Sequence, residues 1–431
     1  KSPPAAGAQL CFRKSVMRIL LINDYGTPTG GAEVLVLGMR EELRRRGHDA
    51  RFFASSARPG GAESLADYQC LGTTSHWRTL LQSANPWASR GLRRVLKTFR
   101  PDVVHVRIFL TQLSPTILPL LRGVPTVLQV ESYRPVCPTG TKMLPDGRLC
   151  QEHWGAACYR NGCLPLRDWG PLMLQMHWWR RLRSVFNAVV VQSRALERQL
   201  AADGIQPVHV LPHGVPDQPP RPPLVLPPTV GFAGRLVPEK GVEALLRAFA
   251  RVVTHLPEAR LLLLGDGPER PRLERVAAEL QIVNRVTWAG HLPRAAVQER
   301  LAPAWLQVIP SLWAEPFGLV APEAMMRGTA VVASGTGGLA EIVCDGETGL
   351  HVPPGNVEAL AQAMRRLLED RELAERMGRA GRVRALAHYR EATAVDKIEE
   401  LYHSVCRDRG GGRRLAPRGR VQHDEQTGCR A

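Results

Sequence analysis

Residues 216–228 read PDQPPRPPLVLPP, seven prolines in thirteen residues. Proline fixes φ and lacks an amide donor, so this stretch can continue neither a helix interior nor an inner strand. It is expected to be a stiff linker, and it divides the chain into two series of similar length. On each side, short β-branched apolar runs alternate with helical patterns, which implies a mostly parallel sheet covered by helices. Before the linker, strands are predicted at 18–22, 50–54, 102–106, 126–130, 188–192 and 208–211. A helix is predicted over 32–46, with Leu35, Met39 and Leu43 on one face and Gly47 as its stop. After the linker, strands fall at 229–233, 260–264, 285–288, 306–309 and 330–333, with helices at 242–253, 271–280, 322–326 and 357–369. The fold class is therefore α/β, two doubly wound Rossmann-like domains facing a cleft. The length of 431 residues agrees, because single cores stop growing near roughly 250–300 residues.

The expected divisions are a disordered leader at 1–16, a first domain at 17–215, the linker, a second domain at 229–388, a last helix at 389–406 and a disordered basic tail at 407–431. The formal net charge is +17, of which the two ends supply +3 and +4, leaving +10 for the body. A basic body favours anionic partners such as phosphates, nucleic acid or an acidic membrane face, without choosing among them. No run of about 18 apolar residues suits a spanning helix. The first residues do not read as a secretory signal, because Arg18 interrupts the apolar run at 17–22 and no small-residue cleavage site follows. Nine cysteines in a chain this long are not a disulfide scaffold.

Parallel sheets bind ligands beyond the carboxyl ends of their strands, so the strand-to-helix loops should carry function. Gly30 and Gly31 open the first helix, where close backbone approach and free amides attract anions; a turn that merely needs glycine has the same look. Arg235 and Lys240 flank the loop GRLVPEKG after the first strand of the second domain. Two fixed cations there can neutralise a diphosphate. The GDGP turn at 265–268 is explained by turn chemistry alone, while His291 and Leu292, in AGHLP, could read a base through backbone groups or form a plain loop. In LWAEPFGLVAPEAM, Glu315 and Glu323 stand eight positions apart around Pro316, Gly318 and Pro322. Pro322 suits the first position of a helix, which puts Glu323 in a first turn and Glu315 on the preceding loop. The amides of Gly318, Leu319 and Val320 are then open to a sugar or phosphate oxygen. Glu323 can accept from a vicinal diol such as a ribose, and Glu315 can meet sugar hydroxyls or developing positive charge. The glycine-rich loop at 334–338 adds free backbone near the same cleft.

Taken together, GGAE, GRLVPEKG, GDGPER, AGHLP and EPFGLVAPEAM resemble the retaining glycosyltransferases of family 4, with GT-B architecture; the last fits the family's E-x7-E pattern. The matches keep the family's order across about 17–405. The resemblance implies a nucleotide-sugar donor held mainly by the second domain, making the first the acceptor side. Arg235 and Lys240 would hold the diphosphate and stabilise the leaving group. Glu323 would hold the ribose. Glu315, Phe317, Gly318 and Leu319 would contact sugar and phosphate, and Gly30 and Gly31 would approach from the other domain. It implies transfer with retention and without a metal or other cofactor, and a last helix returning to the first domain.

Many members of that family carry histidine after the strand predicted at 126–130. Glu131 stands there instead, with a sugar or acceptor hydroxyl as its expected contact. The segment 131–163 holds Cys137, Cys150, Cys158 and Cys163 and looks like a subset of the family; zinc, disulfides and free thiols remain open. The run LMLQMHWWRRLRSVF at 172–186 reads first as a core helix with a solvated arginine face; with the cations Arg93, Arg94, Lys97 and Arg100 it also allows peripheral contact with an anionic membrane. A cytoplasmic site of action follows, at the inner face of the membrane where that contact is made, with a glycan, lipid-linked or small-molecule acceptor. Rival readings are weaker. A nicotinamide oxidoreductase should show G-x-G-x-x-G directly after a strand, which is absent, and no nucleic-acid recognition motif stands out. A sugar-nucleotide epimerase of related architecture is the nearer alternative.

Overall fold

Alternate residues of a strand point to opposite faces of its sheet, and the first strand sorts its side chains accordingly. Leu20 and Ile22 enter a core with Phe53, Val104, Val106 and Leu128, while Ile19 and Leu21 enter a second core with Phe52, Ala54, Val103 and Val127. A sheet apolar on both faces must be covered on both, as parallel sheets are. The computed structural model describes residues 16–28, 30–75 and 77–410. Its first sheet comprises β1 (Arg18–Tyr25), β2 (Asp49–Ser55), β3 (Tyr68–Cys70), β4 (Val103–Val106), β5 (Thr126–Gln129), β6 (Ala188–Val191) and β7 (Val208–Val210). The second comprises β8 (Thr229–Ala233), β9 (Arg260–Leu264), β10 (Val286–Gly290), β11 (Leu306–Ile309), β12 (Ala330–Ser334) and β13 (Gly349–Val352).

The strand orders are β3-β2-β1-β4-β5-β6-β7 and β10-β9-β8-β11-β12-β13. All recorded strand pairs are parallel. Both sheets are doubly wound. The order reverses between β1 and β4 in one and between β8 and β11 in the other, which marks the two places where a ligand crevice opens.

The structure departs from the sequence pattern in several places. The short strands β3 and β13 were not anticipated. The helix carrying Glu323 runs Val320–Met326, so Pro322 sits third rather than first and Glu323 keeps its place in the first turn. The proline-rich stretch lies against the second domain: Leu224 is buried in that core and the Arg221 amide donates to the Arg327 carbonyl at 2.8 Å. The last helix, Glu391–Gly410, runs beyond the expected start of the tail at 407. The leader at 1–15 and the rest of the tail at 411–431 lie outside the described residues.

That last helix crosses back to the first domain. Val395, Ile398, Tyr402 and Val405 complete the core containing Ile19 and Leu21. The crossing is pinned where the Val215 amide donates to Tyr389 and the Glu391 amide to Val215, at 2.8 and 3.0 Å. Gly214 leaves room for it, since a Cβ there would stand 2.4 Å from the Glu391 Cα. Deep in the first domain, His105 Nδ1 and the Tyr402 hydroxyl lie 2.5 Å apart. Burial, and after it the Arg107 charge, push the His105 imidazole down to about 3, so it is neutral at working pH. Tyr402→Phe leaves a buried ring nitrogen unpaired and should cost about 1–3 kcal/mol. Urea unfolding checks this, and an unchanged midpoint refutes it. Among the described residues no helix is long and apolar enough to cross a membrane.

Candidate active site

The loop after β8 and the loop after β11 meet at the second domain's switch point. Gly241 adopts φ +66°, and a Cβ there would lie 2.0 Å from the Pro310 carbonyl oxygen. The Leu312 amide donates to the Glu239 carbonyl at 2.9 Å. This close backbone contact aims Lys240 across the gap, where its Nζ donates to Glu315 Oε1 at 2.7 Å. Ser311 Oγ donates to the same oxygen at 2.5 Å, and the Trp313 ring centroid lies 5.6 Å from the ammonium. Glu315 is 6% exposed. Burial raises its carboxyl pKa, but Lys240, followed by the Ser311 hydroxyl, reverses the sign and holds it below the ordinary range.

Glycines hold the backbone of this loop in place. The Gly338 amide donates to the Glu315 carbonyl at 2.7 Å, and a Cβ on Gly337 would approach that oxygen to 2.4 Å. Gly318 adopts φ +98°, with the Leu339 side chain 2.4 Å from where a Cβ would stand. Among the described residues the amides of Gly318, Leu319 and Val320 find no protein acceptor. Glu323 is neither paired nor close-coupled to Glu315; Arg294 Nη2 donates to its Oε1 at 2.6 Å. Burial outweighs that guanidinium and raises the Glu323 carboxyl above its usual range.

The first domain closes directly on this loop. Tyr133 Oη donates to the Ala314 carbonyl at 2.7 Å and Ser193 Oγ to the Pro316 carbonyl at 2.6 Å. In return Glu341 of the second domain accepts from the amides of Arg194 and Ala195, at 2.9 and 2.7 Å, at the start of the helix Arg194–Ala202. Gly31 comes so near the second domain that its Cβ would stand 3.3 Å from Leu319 Cδ1. Beside it the space over Gly30 is filled by Glu33 Oε2, 2.5 Å from a Cβ at that position, and burial raises the Glu33 carboxyl.

Beneath this contact lies a buried polar network at the carboxyl ends of β4, β5 and β7. Arg107 Nη2 donates to Glu131 Oε1, and His213 Nε2 meets Glu131 Oε2 at 2.8 Å. Burial lifts the Glu131 carboxyl, but Arg107 and then His213 more than reverse this and take it down to about 2. Arg107 is fully buried with Nε and Nη1 unpartnered among the described residues. Two cavities of about 30 and 20 Å³ border it, each near the size of one water. The His213 imidazole stands edge-on to the Phe317 ring, centroids 5.3 Å apart, so the network touches the second domain.

The expected site residues therefore gather unevenly. Lys240, Glu315, Gly318, Leu319 and Gly31 come together at the domain junction. Arg235 begins the same loop but its side chain is 70% exposed, with Glu239 Oε1 3.6 Å away. The Phe317 ring is buried between His213 and Tyr389, and its backbone packs against Gly338. His291 is exposed and Leu292 half-buried beside Arg294. Glu131 gives each carboxylate oxygen a protein partner and is 6% exposed. Cys137, Cys150, Cys158 and Cys163 are free, half-buried thiols, and no group of His, Cys, Asp or Glu among the described residues is arranged to hold a metal ion. Sequence reasoning missed Arg107, Tyr133, Ser193, His213, Arg294, Ser311 and Glu341. Their signal in the sequence is position: Arg107 and His213 each lie just beyond the carboxyl end of a strand, where ligands of parallel sheets bind.

Two doubly wound domains meeting across a cleft, with a buried lysine–glutamate pair at one switch point and paired glycines opposite, define the GT-B class of glycosyltransferases. Family models agree: residues 29–218 match "Glycosyltransferase Family 4" and residues 221–384 match "Glycosyl transferases group 1". The α-maltose-1-phosphate synthase of Mycolicibacterium smegmatis is 30% identical over 380 residues, covering 79% of this chain and 90% of that one. The α-D-kanosaminyltransferase of Streptomyces kanamyceticus is 33% identical over 178 residues, 41% of this chain and 46% of that one. Among solved structures, sucrose-phosphate synthase from Thermosynechococcus elongatus superimposes with TM-score 0.69 and 25% identity, covering 90% of this chain and 98% of that one. Anabaena HepE, solved with UDP and glucose, has TM-score 0.65 at 20% identity, over 90% and 100% of the two chains. The chain belongs to the family 4 glycosyltransferases of GT-B fold.

Proposed function

We propose that the chain is a retaining, metal-independent transferase. It moves a hexose from a nucleoside-diphosphate sugar to a hydroxyl of a glycan, a lipid-linked glycan or a small molecule. The reading rests on one observation above all, the Lys240 ammonium held 2.7 Å from a buried Glu315 at the second domain's switch point. A diphosphate would lie against Lys240 and the amides of residues 318–320, with Arg235 reaching in from the exposed start of its loop and Gly30 and Gly31 opposite. Fixed cations there take up charge as the bond from the sugar's C1 to the β-phosphate oxygen breaks, the role a divalent ion fills elsewhere. The acceptor hydroxyl would bond to C1 from the face the phosphate leaves, and its proton would pass to the departing phosphate oxygen. Configuration at C1 is then kept. Glu323 would take the ribose hydroxyls from its place beside Arg294, His291 and Leu292 would flank the base, and Glu315 would face the sugar. The reading puts the reaction on the cytoplasmic side, where such donors are made.

The α-D-kanosaminyltransferase supports it by its name, which describes glycosyl transfer, and HepE supports it by the UDP and glucose found with it. The test is thermal stabilisation by a panel of nucleoside diphosphates and their sugars, UDP first, with and without chelator, followed by the anomeric configuration of the product. One nucleotide series should raise Tm equally with and without chelator, and the product should keep the donor's anomer. Chelator-sensitive binding, an inverted anomer, or no stabilisation by any nucleotide overturns the reading. Isomerised donor formed without acceptor would favour an epimerase. Glu323→Ala should weaken donor binding about tenfold, the size of a hydrogen bond to a charged group. Titration calorimetry checks this, and unchanged affinity removes Glu323 from the site.

A further inference from the structure

One face of the first domain is dressed in a way that transfer chemistry does not explain. The helices Pro86–Phe99 and Leu166–Leu182 cover the same side of the first sheet, and the short helix Arg78–Ser83 packs against the second of them. That pair is tied together: Thr79 Oγ1 donates to Asp168 Oδ1, Ser83 Oγ to the Pro171 carbonyl and Gln175 Nε2 to the Gln82 carbonyl, at 3.0, 2.6 and 2.6 Å. Leu172, Gln175, Met176 and Trp179 turn inward on the long helix. Its outward face nevertheless carries Leu166, Leu174 and Trp178, which are 65%, 50% and 41% exposed. Leu80 and Trp87 on the neighbouring helices are 53% and 48% exposed. Isolated exposed apolar residues are ordinary, but a set this large on adjoining helices marks a contact surface.

The charge around them is one-sided. Residues 78–99 and 166–183 contain nine arginines and lysines and one acid, Asp168. That acid is engaged by Thr79 and lies 3.5 Å from Arg167. Arg90, Arg93, Arg94 and Lys97 line the outward side of one helix, and Arg180 and Arg181 the end of the other. Tryptophan and leucine set among outward arginines is the dress of a helix lying in an anionic lipid interface, where the rings sit at headgroup depth and the guanidinium groups meet lipid phosphates. A soluble polyanion would use the cations and leave the exposed leucines without purpose. Trp87 and Leu166 lie in the first turns of helices that lead into β4 and β6, so the apolar end of the surface reaches the cleft-side edge of the sheet.

We propose that this face, built on Leu80, Trp87, Leu174, Trp178 and the flanking arginines, docks the first domain on an anionic bilayer. Docking stands apart from the donor chemistry. Its consequence, that the acceptor is presented from the bilayer to the adjoining cleft edge, rests on the transferase reading above.

The test is co-sedimentation of the full chain with vesicles of phosphatidylcholine alone and of phosphatidylcholine with phosphatidylglycerol, at low and high salt. Binding is expected to the anionic vesicles and to fall with salt. Leu174→Glu/Trp178→Glu and Arg93→Glu/Arg94→Glu should each reduce bound protein about tenfold, with melting temperature and nucleotide stabilisation unchanged. Three results overturn the proposal: no binding to anionic vesicles, full vesicle binding by the Leu174→Glu/Trp178→Glu protein, or capture by heparin that this double variant retains while vesicles capture nothing. Lys240→Ala separates the two readings, since it should weaken donor binding while vesicle binding persists.

Discussion

Lys240→Ala is expected to lower turnover about 10²–10³-fold, the cost of removing a charge aimed at a developing anion in a water-poor site. The same change should destabilise the protein by about 3 kcal/mol, because it leaves the buried Glu315 carboxylate without its cation. The two effects separate in the double variant Lys240→Ala/Glu315→Gln. Removing the stranded charge should return most of the stability and none of the activity. Initial rates at saturating donor, with urea unfolding on the same preparations, check both parts. If the double variant regains activity along with stability, the lysine acts only as a structural partner. If Lys240→Ala keeps near-normal turnover, the leaving-group role fails outright.

Glu131→Ala should be about as damaging to stability, by about 3–5 kcal/mol, because it strands the fully buried Arg107. Glu131→Gln keeps the shape and exposes the pH dependence. The folded carboxyl sits near 2 against an ordinary 4.5. A depressed carboxyl adds stability above its unfolded value and loses it as pH falls toward the folded one. The contribution should therefore be full at neutral pH and disappear between about pH 5 and pH 2, at about 3 kcal/mol in all. Urea unfolding of both proteins across that window should show the wild-type advantage shrink as pH falls. Parallel curves would mean that Arg107 and His213 do not hold the ionised form. His213 touches Phe317, so the Gln variant should also weaken closure of the two domains and raise KM for the donor.

The sequence was most legible where a local pattern sufficed. The helices at 242–253 and 357–369 appear with the expected bounds because a 3.6-residue apolar period over a dozen positions has no competing solution. The strands β3 and β13 were lost for the opposite reason. Three or four residues carry too little period to stand out, and each exists because a longer neighbour offers its edge. Within the site, Lys240 and Glu315 were found because each lies in a glycine- or proline-marked loop after a strand. Their mutual hydrogen bond spans 75 positions and left no local trace. The Arg107–Glu131–His213 network spans 24 and 82 positions, so no window on the chain holds its members together.

Local sequence was enough for the class of the fold and for the position of the strand-to-helix loops at the domain junction. Hydrophobic period, proline punctuation and glycine turns are properties of neighbouring residues, and they suffice to say which segments become strands and where loops must bend. Which charge meets which was settled by the packing of the two domains. Packing gave Glu315 to Lys240, Glu323 to Arg294 and Glu131 to Arg107, and it locked the Ala314 and Pro316 carbonyls to Tyr133 and Ser193 of the other domain. The physical reason is that a buried charge takes whichever partner the packed domains bring within hydrogen-bonding distance, and that distance depends on the path of the whole chain.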